Sequence, residues 1–138
     1  MSTSEPSALL DPPRGYRPMA WLGLVVNSLL VPLALLLIRL DPTWHTANIA
    51  LAAGAVLPTA ATGLVASVAL LRWRAWGQIL AIVALSLSLA VGLPYGIVRL
   101  SLVAEGRPLL AVVAPSLWLL NVAALVYWCR PAHRRYLI

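Results

Sequence analysis

Lysine and phenylalanine are missing from the 138 residues, cysteine occurs once, and charged residues make up only 10% of a chain that is 62% hydrophobic. So little charge leaves too few polar groups to cover a water-soluble domain, and the composition places the chain in a membrane. The lone Cys129 excludes an internal disulfide and any cysteine-based metal cluster. There is no phosphate-binding loop, no H-E-x-x-H and no C-x-x-C. Neither a cofactor, a resident metal, a catalytic set nor a nucleic-acid partner is therefore expected. All ten basic residues are Arg; together with the missing Lys and Phe this reads as the codon bias of a GC-rich bacterium, not as a physical requirement.

What is there is long apolar runs. No charge occurs between Arg17 and Arg39, Asp41 and Arg72, Arg74 and Arg99, or Arg107 and Arg130. About 20 helical residues cross a hydrocarbon core roughly 30 Å thick, so each run is long enough for one span. The spacing predicts an all-α membrane protein with four transmembrane helices near 19–39, 47–71, 75–98 and 108–129. The expected organisation is a flexible cytoplasmic tail over 1–18, a transmembrane domain over 19–129 and a basic cytoplasmic tail over 130–138. A β-barrel is disfavoured because the runs lack period-two alternation. The first run also far exceeds the 7–15-residue apolar core of a signal peptide.

Counting Arg on each side gives the expected orientation. With both termini cytoplasmic, Arg14, Arg17, Arg72, Arg74, Arg130, Arg134 and Arg135 lie inside, and Arg39, Arg99 and Arg107 outside. This excess predicts an up-down-up-down bundle, N-in and C-in, in the bacterial cytoplasmic membrane. The stretch "RWRAW" then becomes the cytoplasmic turn between helices two and three. Arg72, Trp73, Arg74 and Trp76, with Arg130, Arg134 and Arg135 of the tail, are expected to anchor in the headgroup layer, and Trp21, Tyr127 and Trp128 to complete an aromatic belt. Anionic lipid headgroups are the expected ligands of "RWR" and "RPAHRR".

Inside the spans the second helix, "ANIALAAGAVLPTAATGLVAS", is dominated by small residues that let backbones approach closely, so it is expected at the centre of the bundle. "GLPYG" brings a small-xxx-small spacing, Gly92 to Gly96, to helix three. Pro32, Pro58, Pro94 and Pro115 each remove one backbone hydrogen bond, and a cavity in the outer half is one consequence to look for. Apart from Arg39 at the end of the first, no Asp, Glu, Lys, Arg or His lies within a predicted span, which argues against a proton-coupled carrier or a hydrolase. Asn27 and Asn121 fall at similar depth and are expected to pair across helices one and four. On the outer face Asp41, His45 and Glu105 form the one constellation that could bind zinc or act as an acid/base pair, although the spacing matches no established motif.

"ALLRWRAWGQILAIV" and "YWCRPAHRRYLI" resemble small bacterial four-helix integral membrane proteins of uncharacterised role, which carry an Arg/Trp hairpin between helices two and three and an "RPxxRxY" tail. The resemblance covers about a third of the chain and implies a fold, not an activity. Four-helix multidrug carriers are similar in length, but the glutamate of their first helix has no counterpart here. The expected role is a non-catalytic accessory or scaffold subunit, not an enzyme, acting on membrane lipids and on another membrane protein or itself. The alternatives are a carrier or channel for an apolar or weakly polar solute, working as a dimer, and a lipid-modifying enzyme.

Overall fold

The computed structural model describes residues 12–103 and 106–137, and among these all regular structure is helical. Four helices are long and apolar enough to cross a membrane: α1 (Tyr16–Leu40), α2 (Pro42–Leu71), α3 (Ala75–Leu102) and α4 (Arg107–Trp128). A short 3-10 turn, Pro131–Arg135, follows α4.

The helix ends depart from the predicted limits for identifiable reasons. α1 starts at Tyr16, not at 19, because Gly15 supplies a left-handed backbone (φ 82°) just ahead of it and the Tyr16 ring is buried. Tyr16–Pro18 of the expected tail therefore belong to the bundle, while the tail's first 11 residues lie outside the described residues. α3 runs to Leu102, past the predicted 98, and so carries Arg99 in its last turn, where a cation meets the negative end of the helix dipole. Arg107 then caps it, donating from Nε to Val103 O and from Nη2 to Ser101 O, both at 3.2 Å.

α2 is not uniform. It opens as a 3-10 turn over Pro42–Trp44, continues as α-helix over His45–Leu51, widens to a π-turn over Ala52–Val56 and resumes as α-helix over Leu57–Leu71. Pro58 has no N–H, and its ring crowds the carbonyl four residues earlier. The preceding turn has widened, with Leu57 N–H reaching back to Ala52 O.

Small side chains place α2 at the centre. Its buried residues are Asn48, Thr59, Ala60, Gly63, Ala66, Ser67, Ala69 and Leu70. α1 and α3 pack on α2, and α4 packs on α3. A Cβ at Gly23 of α1 would come within 2.8 Å of Ser67 Oγ, and one at Gly77 of α3 within 2.8 Å of Ala69 Cβ. In α4 Trp118 fills the space over Gly96, where an added Cβ would sit 2.6 Å from the ring. Contacts run in opposite chain directions within a pair: Tyr16 meets Leu70 and Asn27 meets Gly63, while Gln78 meets Trp128 and Asn121 meets Ser88.

Candidate functional site

Polar side chains collect at the two ends of the bundle. At the Asp41 end the core of the site is an ion pair, Arg99 Nη1 to Asp41 Oδ2 at 2.6 Å, with both side chains largely shielded (14% and 19% exposed). The 3-10 turn brings Trp44 against the same guanidinium, 4.9 Å from its ring centroid, and Tyr95, one helical turn before Arg99, flanks it at 5.9 Å. Tyr95 OH donates to Asn48 Oδ1, so α1, α2 and α3 are tied together at this end. Asn48 is 1% exposed and its Nδ2 has no described partner. It borders a shallow groove of about 170 Å³ between α1 and α2, with Leu33, Leu37 and Ala52 in its walls.

At the opposite end the arginine hairpin meets a cluster of rings. Tyr16 is stacked on Trp73 (4.6 Å between centroids, 5° between planes) and edge-on to Trp128 at 5.5 Å. Its hydroxyl donates to Leu70 O at 2.8 Å. His133 of the terminal 3-10 turn is buried and lies 4.6 Å from the Tyr127 ring. Tyr127 OH donates to Arg14 O at 3.2 Å, and Gln78 Nε2 donates to Trp128 O. This is the one place where α1 and α4 are joined by side chains among the described residues. Arg72, Arg74, Arg130, Arg134 and Arg135 are all exposed around it.

With both ends defined, comparison has little to add. The chain matches no protein-family profile, no curated protein and no solved structure.

Several expected placements change. Asn27 and Asn121 do not pair: Asn27 lies over Gly63 and donates to Gly23 O at 2.7 Å, whereas Asn121 Nδ2 donates to Ser88 Oγ at 2.9 Å. Each amide finds a partner on its own helix or on the helix packed against it, because α1 packs on α2 and α4 on α3. The outer constellation is also redistributed. Asp41 is engaged by Arg99, His45 is exposed, and Glu105 lies outside the described residues. Among the described residues no three metal-ligating side chains come together.

The aromatic belt divides in two. Trp21 and Trp76 are exposed (55% and 49%), whereas Trp128 is buried and Trp73 is half-buried against Tyr16. Rings that sequence reasoning assigned to lipid instead bind the helix ends together. Sequence reasoning also missed Asn48, Tyr95 and Gln78. Tyr95 and Arg99 are spaced i, i+4 and so share a helix face, and Asn48 is the one amide in α2; both features were available.

Proposed function

We propose that the chain is a non-catalytic scaffold or accessory subunit of a bacterial cytoplasmic membrane, an up-down-up-down bundle with both termini inside, acting through helix and lipid contacts. The observation that carries this reading is the contrast between a closed centre and an unpartnered flank. α2 lies between α1 and α3, with Ala60, Gly63, Ala66 and Ala69 buried in the bundle. α4 packs along its length on α3, meets the start of α1 through Trp128 and Tyr127 at one end, and leaves Leu109, Leu119 and Leu120 at 73%, 70% and 68% exposure. The partner fitting such a face is another membrane protein or a second copy, held by van der Waals packing in lipid.

A photocrosslinking residue at Leu119, compared with one at the α1 position Leu36, is the test. Discrete protein adducts from Leu119 in intact membranes are expected. Lipid adducts alone at both positions would sink the reading. One observation favours a second reading, a carrier of a weakly polar solute: the groove beside the π-turn, bordered by the unsatisfied Asn48 amide.

A further inference from the structure

A groove runs along the α2–α3 hairpin, beside the close contact of Gly77 with Ala69. It has a volume of about 320 Å³ and is walled by Leu64, Val65 and Val68 of α2 and Trp76 of α3, with Arg72 and Arg74 at its mouth. That volume is at the lower limit of ligand pockets, about 300–1,000 Å³, room for part of a long ligand whose remainder stays outside. Val65, Val68 and Trp76 are 50%, 40% and 49% exposed, so the walls are open to the surroundings.

Polarity along the groove is graded. It is purely aliphatic from Leu64 to Val68, gains an indole at Trp76, and ends at two guanidiniums within three residues of each other. Neither Arg72 nor Arg74 forms an ion pair among the described residues, where Asp41, at the far end of the bundle, is the one carboxylate and belongs to Arg99. The last carbonyls of α2 accept from groups other than the two guanidiniums. Leu70 O already accepts from Tyr16 OH and Trp73 N–H, and Ala69 O from Arg74 N–H. The hairpin joins the C-terminus of α2 to the N-terminus of α3, whose dipole ends oppose each other there, so the positive charge rests on the two guanidiniums.

From this gradient we infer that the hairpin is a binding site for an anionic phospholipid, with one acyl chain along Leu64, Val65 and Val68 and the phosphate between Arg72 and Arg74. The inference deepens the proposed scaffold role and rests on its placement of this end at a membrane surface. Charge complementarity fixes the occupant: a zwitterionic lipid would leave two arginines without net compensation, and a free phosphate would leave the apolar walls empty. Trp76 supplies the amphipathic ring suited to the level between them.

The test uses the purified full chain reconstituted in vesicles of equal parts phosphatidylglycerol and phosphatidylcholine, extracted mildly, with retained lipid read by mass spectrometry. Two arginines near a surface should give a preference for phosphatidylglycerol on the order of tenfold. It should vanish in Arg72→Gln/Arg74→Gln and persist in Arg134→Gln/Arg135→Gln, which removes the same charge from the tail. Val68→Trp keeps both arginines but fills the groove, and it should also lose the lipid; Val65→Trp serves the same purpose if the first variant folds poorly. An unchanged preference in the hairpin variant, an equal loss in the tail variant, or full retention by the groove-filled variant would each overturn the site. Lipid selectivity is read without any crosslinked partner, so failure of the scaffold role at Leu119 and failure of this site are separate results.

Discussion

Trp73 holds a left-handed backbone (φ 59°) just past α2, where its N–H reaches Leu70 O and the Arg74 N–H reaches Ala69 O. These two bonds form a Schellman motif, whose left-handed position is usually filled by glycine. A side chain there costs about 1–2 kcal/mol. What offsets it is the stack on Tyr16, since aromatic pairs contribute about 0.5–1.5 kcal/mol beyond burial. The two effects can be separated. Trp73→Ala loses the stack and keeps the strain, whereas Trp73→Gly loses the stack and relieves the strain. Trp73→Ala should be less stable than the parent chain, and the glycine variant should exceed the alanine variant by about 1 kcal/mol in a detergent unfolding assay. An alanine variant as stable as the glycine variant would mean that the turn carries no backbone strain.

The α1–α2 interface is set by glycines on each helix that receive a polar side chain of the other, Gly63 facing Asn27 and Gly23 facing Ser67. At Gly63 an added Cβ would overlap the Asn27 amide, whose own Nδ2 is held by Gly23 O. Gly63→Ala should therefore cost about 1–3 kcal/mol by overpacking. Asn27→Ala makes room for the new methyl, so adding it to Gly63→Ala should restore part of the loss, and the two changes should not add. Additive costs in the same unfolding assay would show that the helices do not meet at this pair. The small-residue content of α2 made its central position legible in the sequence, and charge-free runs made the number of spans legible. Which amide met which partner was not, because depth along a helix says nothing of its rotation about its axis. Asn27 and Asn121 share a depth yet face different neighbours. The ion pair was hidden for a related reason: Asp41 and Arg99 are 58 positions apart in the sequence, and only the extension of α3 to Leu102 brings Arg99 into reach.

At the scale of the whole molecule, the arginines of the two ends differ in freedom as well as number. Seven lie toward the Arg72 end and three toward the Asp41 end. Of those three, Arg99 is paired with Asp41 and Arg107 is occupied by the last carbonyls of α3, which leaves Arg39 exposed. Arg99 is also a poor control position, since Arg99→Glu would face Asp41 and disrupt packing as well as charge. Arg72→Glu/Arg74→Glu should give mixed orientation with little change in helix content, and Arg39→Glu should not. The chain supplies its own reporter: Cys129, the lone cysteine, is exposed just beyond α4. A membrane-impermeant maleimide added to intact cells should leave the parent chain and Arg39→Glu unlabelled until the membrane is permeabilised. In the hairpin variant a substantial fraction should react from outside. Full labelling of the parent chain in intact cells would reverse the proposed orientation, and an unlabelled hairpin variant would show that Arg72 and Arg74 do not set it.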